Sequence, residues 1–212
     1  MRKEYSWKRG RKDGCRRVSR SARKYQGVSR MQTSKISTQD ICSIAIMTAI
    51  TAVMAQISIP MPMGVPMTMQ TFAVTLAGVV LGAKRGAISM IIYVLLGAVG
   101  VPVLAGFSGG FQHLIGLTGG FLISFPIMAY LIGVGTKLRK QKGMFLLFLI
   151  LGTAANYAVG VLMFCILMKA SVWTGFTACV LPFLPTAVIK AAAASILGLK
   201  LHVRLGEVLQ WT

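Results

Sequence analysis

The chain has 212 residues, of which 55% are hydrophobic, and its mean hydropathy is +0.72. Charged residues make up only 13%, with 23 Lys and Arg against four Asp and Glu, so the net charge is +19. A soluble domain has about 25% charged residues of both signs, and a disordered chain is poor in apolar residues. The composition therefore argues against a soluble globular fold, excludes a disordered chain and predicts a membrane protein.

Residues 1–34 form a basic arm that is rich in Arg, Ser and Gly and shows no hydrophobic periodicity. Residues 1–30 contain 12 basic and 2 acidic residues, about half of the whole excess of positive charge. The arm is too long and too charged for a secretory signal, so we expect a disordered segment that contacts anionic lipid headgroups. Translation starting at Met31 is the alternative. No nucleic-acid partner is expected, since no folded nucleic-acid-binding motif accompanies the charge.

Four long stretches contain no Asp, Glu, Lys or Arg: residues 41–83, 86–136, 143–168 and 170–189. Because about 20 apolar residues cross a bilayer as a helix, these stretches predict an all-α bundle of six membrane helices. The predicted bounds are 41–59, 69–83, 86–100, 119–136, 144–168 and 182–201. The breaks are marked by Pro60, Pro62 and Pro66, by Lys84 and Arg85, and by the Gly-rich segment 100–120. The predicted organisation is thus the arm 1–34, a membrane domain at 35–205 and a short tail at 206–212.

The distribution of loop cations predicts the orientation in the membrane, since cytoplasmic loops carry the excess of Lys and Arg. With the N-terminus in the cytoplasm, six spans leave only Lys169 outside. The cations placed inside are Lys35, Lys84, Arg85, Lys137, Arg139, Lys140, Lys142, Lys200 and Arg204. Both termini are therefore predicted to be cytoplasmic, and three irregular segments face outwards: 60–68, 101–118 and 169–181. Irregular backbone at membrane depth is tolerated where it is buried or lines a cavity, so a pocket is predicted in the outer half.

Lys190 is the most informative side chain, because it lies inside the last predicted helix and no membrane-embedded acid is available to pair with it. An intramembrane cation costs about 2.5 kcal/mol or more and marks functional sites. Three interpretations stay open: Lys190 meets a polar or anionic ligand, it is neutral, or its ammonium extends to the membrane surface. Asn156 lies between two glycines in the fifth helix and is expected to bond a neighbouring helix or a ligand. His113 is interpreted as a surface or packing residue.

Small residues on the first predicted helix, Ala45 and Ala49, have the spacing that lets helices approach closely. Packing within the chain and docking of another membrane subunit are the two interpretations.

Enzymatic and metal motifs are absent from the sequence. There is no GxxxxGK[ST] phosphate loop, no HExxH and no acid placed as an intramembrane base. The four Cys lack the spacing of a zinc site. We therefore expect no catalytic residue, no metal site, no cofactor and no nucleotide-hydrolysing site in this chain.

Four segments closely resemble the BioY family, the biotin-capturing substrate (S) components of energy-coupling-factor (ECF) vitamin transporters. They are VPMTMQTFAVTLAG at 65–78, LGAKRGAISMIIYVLLGAVGVPVLAG at 81–106, TGGFLISF at 118–125 and LPFLPTAVIKAAAA at 181–194. The resemblance covers residues 36–205, with the segments in the family's order and spacing, and leaves the basic arm outside.

The resemblance implies a six-helix protein of the cell membrane that binds biotin from outside. It also implies partners: a transmembrane coupling subunit and two cytoplasmic ATPases, with toppling of the S component to release the vitamin. By resemblance and position, the residues expected to contact biotin are Lys190, Asn156, Gln70, Gln112, Tyr93 and Thr186. On the same grounds, Ala45 and Ala49 resemble the family's docking surface for the coupling subunit.

One departure from the family lies in the last helix. The family commonly has PFLPGDxxK, and here Thr186 and Ala187 stand in place of the Gly-Asp pair. In the family this Asp and the Lys look like contacts for the polar end of the ligand. The absence of this Asp removes an acceptor for the ureido N–H groups of biotin. Asn156, Thr186 or Gln112 are the candidates to supply an acceptor in its place. The alternatives are therefore an S component for a biotin precursor or another small vitamin, or a membrane scaffold or enzyme.

Overall fold

The structure is a computed structural model that describes residues 37–61, 64–139, 141 and 143–209. The predicted arm, Pro62, Lys140 and Lys142 lie outside these residues. The helices are α1 (Thr38–Gln56), α2 (Gln70–Val99), α3 (Gln112–Ile115), α4 (Gly119–Lys137), α5 (Met144–Met168), α6 (Val172–Cys179) and α7 (Leu184–Leu209). Strands β1 (Ser58–Ile59) and β2 (Met67–Thr68) pair antiparallel in the loop between α1 and α2, and Ala105–Phe107 forms a 3₁₀ turn in the loop between α2 and α3. These two loops are called the first and second outer loops after their predicted orientation.

The 30-residue helix α2 is a helical hairpin that reverses at Gly82. Gly82 has φ 76° and ψ −177°, a conformation that is essentially restricted to glycine. The two arms lie side by side: Gln70, at the start of the first arm, donates a hydrogen bond to the hydroxyl of Tyr93 in the second arm. The hairpin thus contains both the second and the third predicted helices, and its turn lies just before the predicted marker Lys84.

Within the described residues, five helices are long and apolar enough to cross a membrane: α1, α2, α4, α5 and the Leu184–His202 part of α7. The α2 hairpin counts once among the five, although it contains two antiparallel arms. The predicted number of six spans and the cytoplasmic location of both termini stay predictions. The last helix continues past its predicted end at 201 to Leu209.

The core is built around the α2 hairpin, which packs against α1, α4 and α7. Most of its fully buried side chains are apolar and include Val74, Val79 and Met90 from α2 and Ile132 from α4. Helices α2 and α4 approach very closely at Gly78, where a Cβ atom would lie 2.7 Å from the carbonyl oxygen of Ala129. Small residues at such crossings let helix backbones make the dispersion contacts that hold membrane helices together.

Paired polar side chains link α1 to α2. The hydroxyls of Thr48 on α1 and Ser89 on α2 lie 3.0 Å apart. Arg85, just after the hairpin turn, forms an ion pair of 2.9 Å with Asp40 in the first turn of α1. These contacts fix α1 against α2 at two levels, and Asp40 also complements the positive end of the α1 dipole.

Replacing Gly82 by Ala should destabilise the protein by about 1–3 kcal/mol, since a side chain is strained in this backbone conformation. The space around the position is open, so the loss would come from the backbone alone. The free energy of unfolding of the variant and of the wild type, measured in the same detergent, tests this prediction. Gly143→Ala is the comparison, because Gly143 has a similar φ of 81° but lies in the less restricted left-handed helical region with ψ −16°. An unchanged stability of Gly82→Ala would contradict the assigned role of the turn.

Candidate functional site

A cavity of about 430 Å³ lies between the two outer loops, α4, α5 and the start of α7. Most of its wall is apolar and includes Val65, Phe121, Phe125 and Phe183. The polar side chains of the wall come from five different elements, so the fold brings together residues that are far apart in sequence. A mostly apolar cleft with a few convergent polar groups is the usual form of a small-molecule site. The cavity is lined by parts of the predicted irregular segments 60–68 and 101–118, as expected. The prediction that it lies in the outer half of the protein stays a prediction.

Five of the six residues predicted to contact a ligand line this cavity: Lys190, Asn156, Gln70, Gln112 and Thr186. The sixth, Tyr93, does not line it. Tyr93 is completely buried behind Gln70 and donates a hydrogen bond of 3.0 Å to the carbonyl oxygen of Val103. Tyr93 therefore supports Gln70 from behind and, contrary to the sequence-based prediction, does not face the cavity. Direct ligand contact by the other five stays a prediction.

Lys190 reaches from α7 across to the first outer loop. Its ammonium donates a hydrogen bond of 3.0 Å to the carbonyl oxygen of Thr68 at the end of β2. The side chain is half-buried and lines the cavity, so of the interpretations left open, extension to the membrane surface does not describe it. No Asp or Glu is among the described residues of the cavity wall. An ammonium has three N–H donors, so two remain for an acceptor in the cavity.

Asn156 presents an unused acceptor. Its amide nitrogen donates to the carbonyl oxygen of Phe121 at 3.1 Å and to the hydroxyl of Ser124 at 2.8 Å, both on α4. A carbonyl oxygen only accepts, so this contact assigns the nitrogen to the α4 side. Asn156 is 1% exposed, and its Oδ1 has no hydrogen-bond partner. A buried acceptor without a partner is costly, and a ligand N–H in the cavity would satisfy it.

Gln70 is held by its neighbours on both ends of the amide. Its Oε1 accepts from the hydroxyl of Thr68 at 2.9 Å, and its Nε2 donates to Tyr93. One N–H of the amide is therefore left for a ligand. Since Thr68 also accepts from Lys190 through its carbonyl oxygen, a continuous hydrogen-bonded chain runs from Val103 through Tyr93, Gln70 and Thr68 to Lys190.

The wall also contains residues that were not predicted to contact a ligand, among them His113, Thr68 and Cys179. His113 lies beside Gln112 on α3, is half-buried and lines the cavity, and its interpretation as a surface or packing residue stays a prediction. Its position next to a predicted site residue in an outer loop was the available signal. Thr68 was missed because no sequence pattern indicates that its carbonyl oxygen accepts from Lys190 or that its hydroxyl donates to Gln70. Cys179 is buried in the wall, and burial raises the pKa of its thiol to about 11, so it is a neutral part of the surface at physiological pH.

The predicted docking residues lie apart from the cavity. Ala45 and Ala49 are both exposed on α1. Large apolar side chains on the same helix, Ile46 and Val53, are exposed by 59% and 64%. The two alanines are thus not used for packing within the described part of this chain, which favours the second interpretation, docking of another membrane subunit.

Comparison with known proteins identifies similar chains. The model of the BioY family matches residues 29–207. The probable biotin transporter BioY of Pyrococcus horikoshii is 39% identical over 169 residues, which cover 77% of this chain and 96% of that protein. The biotin transporter BioY of Thermotoga maritima is 36% identical over 166 residues, covering 77% and 95%.

A solved structure gives the same result at the level of the fold. The crystal structure of the S-component for biotin from an ECF-type ABC transporter matches with a TM-score of 0.71 and 27% sequence identity. The match covers 80% of this chain and 94% of that one.

Proposed function

Because this chain belongs to the BioY family, we propose that it captures biotin as the S component of an ECF-type transporter. It is a multi-pass membrane protein with the fold of an S component. Its relatives are named as transporters and not as enzymes. The observation that carries the proposal is the cavity, which combines an ammonium at Lys190 with the partnerless acceptor of Asn156.

The chemistry of biotin fits this wall. The bicyclic ring and the valeryl chain are apolar and match the aromatic and aliphatic lining. The ureido group supplies N–H donors for Asn156 Oδ1. The ureido oxygen and the carboxylate are the acceptors available for Lys190. The ligand is thus held by a few polar contacts at its ends and by apolar contacts between them.

Ala187 favours an alternative ligand. It lines the cavity where the family commonly has an Asp, so the described wall contains no carboxylate. A biotin precursor or another small vitamin with fewer N–H donors would need fewer acceptors. Asn156 supports biotin, because it offers the acceptor that the substitution at position 187 removed. Biotin is therefore the ligand we propose, and the precursor is the second candidate.

Two measurements test the proposal. Titration of the purified protein with biotin should give binding at micromolar concentration or below, and no binding there would reject the proposal. Mass spectrometry of the ligand that co-purifies with the protein should recover biotin. Recovery of another vitamin without biotin would establish the alternative.

For the partners, we propose a transmembrane coupling subunit that docks on the exposed α1 face around Ala45 and Ala49, and two cytoplasmic ATPases. The absence of a phosphate loop from this sequence supports an external source of energy. Small residues support close helix packing at the docking face.

Replacing both Ala45 and Ala49 by Leu should abolish co-purification of the coupling subunit, because the larger side chains would separate the two helices. Binding of biotin by the isolated protein should be unchanged, since neither residue lines the cavity. Ala193→Leu is the control, because Ala193 is exposed on α7 and also lies outside the cavity. Normal co-purification of the double variant would place docking elsewhere.

A further inference from the structure

Gln56, the last residue of α1, joins that helix to the second outer loop. Its Nε2 donates to the carbonyl oxygens of Ala52 at 3.0 Å and Leu104 at 3.1 Å. Its Oε1 accepts from the backbone N–H of Phe107 at 2.7 Å. One amide therefore bonds its own helix and both sides of the 3₁₀ turn Ala105–Phe107. Gln56 itself is not part of the cavity wall.

The loop that Gln56 holds has an unusual backbone. Gly106 has φ 68° and Phe107 has φ 55°, so both are in the left-handed region, which a residue with a side chain rarely adopts. The Phe107 side chain is 73% exposed and gives the loop little packing. Besides Gln56, the loop is closed by the backbone bridge between Leu104 and Ser108 and by a hydrogen bond of 2.8 Å from the hydroxyl of Ser108 to the carbonyl oxygen of Ala105. The conformation thus depends on a few hydrogen bonds.

The same loop forms part of the cavity. Leu104, Ala105 and Ser108 all line it. Gln56 bonds Leu104 itself and Phe107, which lies between Ala105 and Ser108. If the Gln56 bonds were lost, Phe107 could return to a negative φ, and the wall would move with it.

We infer that Gln56 is a positioning residue for ligand capture: it holds residues 104–108 in the conformation that completes the cavity, without touching the ligand. The inference rests on the proposed function of the cavity. It also makes the outer end of α1 part of the ligand site, although α1 contributes no residue to the cavity wall.

Two variants of Gln56 test the inference. Gln56→Met keeps the length of the side chain and removes all three hydrogen bonds, so biotin should bind about tenfold or more weakly. Gln56→Glu still accepts from Phe107 but turns a carboxylate toward the carbonyl oxygens of Ala52 and Leu104, and should also bind weakly at neutral pH. Near pH 5, a fraction of this carboxyl group is protonated and can donate again, so its affinity should recover toward that of the wild type.

The wild type is titrated at the same two pH values. Dividing the dissociation constant of Gln56→Glu by that of the wild type at each pH cancels the effect of protonating biotin or any group that both proteins share. A role in filling space alone would not give recovery at low pH. Thr51→Val is the matched control, because Thr51 is a buried residue of α1 whose hydroxyl bonds only Met47 of the same helix. Its affinity should equal that of the wild type. Wild-type affinity in Gln56→Met, or no recovery of Gln56→Glu, would overturn the inference.

Hydrogen exchange of residues 101–111 without ligand separates this inference from the proposed function. Exchange should be faster in Gln56→Met than in the wild type and unchanged in Thr51→Val. Unchanged exchange in Gln56→Met would refute the role of Gln56 even if biotin binds. Faster exchange in a protein that does not bind biotin would retain the role of Gln56 in the loop and reject the ligand.

Discussion

Replacing Lys190 by Met should weaken the binding of biotin by about tenfold to 100-fold, as expected for loss of a charge-assisted hydrogen bond of about 1.5–3 kcal/mol. Methionine keeps most of the apolar stem, so the cavity wall should change little. The ammonium has two donors beyond its bond to Thr68, and no other Lys or Arg is among the described wall residues. Isothermal titration of the purified variant measures the effect.

The control is Lys200→Met, which removes an exposed cation from the same helix. It should bind biotin as the wild type does. The biotin affinity of Lys190→Arg should lie between those of Lys190→Met and the wild type, since arginine keeps the positive charge but its planar guanidinium does not match the geometry of an ammonium. If Lys190→Met bound as tightly as the wild type, the assignment of Lys190 would be wrong, and the proposed function would stand on the remaining wall.

Replacing Asn156 by Leu should lower the affinity for biotin by about tenfold to 100-fold, because a ligand N–H would then be buried without an acceptor at a cost of about 1–3 kcal/mol. The stability of the ligand-free protein should change much less. The variant loses the bonds to Phe121 and Ser124 but also removes the partnerless Oδ1. Thermal unfolding with and without biotin separates the two effects, since ligand binding stabilises only the folded state.

Ser124→Ala is the matched control for Asn156. It removes one structural partner of the Asn156 amide and leaves the Oδ1 acceptor in place. Biotin should therefore still raise the unfolding temperature of Ser124→Ala and should raise that of Asn156→Leu far less. An equal shift in both variants would mean that Oδ1 does not meet the ligand.

Hydropathy and charge predicted the membrane helices because lipid imposes length and composition on each span independently of its neighbours. The turn at Gly82 was placed near Lys84 and Arg85 for the same reason, since cations mark a membrane surface. Its conformation was not predictable from charge. The reversal between the two arms depends on the backbone conformation of one residue, Gly82, whose φ and ψ are both outside the helical region.

The site was predictable where a polar residue stands out against an apolar helix, as Lys190 and Asn156 do. It was not predictable where the role of a residue depends on its hydrogen-bond partners in the fold. Tyr93 has a hydroxyl of the kind that contacts ligands, but this hydroxyl accepts from Gln70 and donates to Val103. Gln56 bonds residues 48 and 51 positions away, and no local pattern in the sequence indicates such a contact.

On the predicted topology, the length of the first arm of α2 determines how deep in the membrane the proposed biotin site lies. Residues 70–81 rise about 1.5 Å each, or roughly 18 Å in all, whereas the hydrocarbon layer is about 30 Å thick. With Gly82 at the cytoplasmic side, as the predicted topology has it, Gln70 at the cavity lies well below the outer surface. On this topology, captured biotin would thus already lie within the hydrocarbon layer before any ATP is hydrolysed. The ATP-driven step would then move it only from that depth to the cytoplasm.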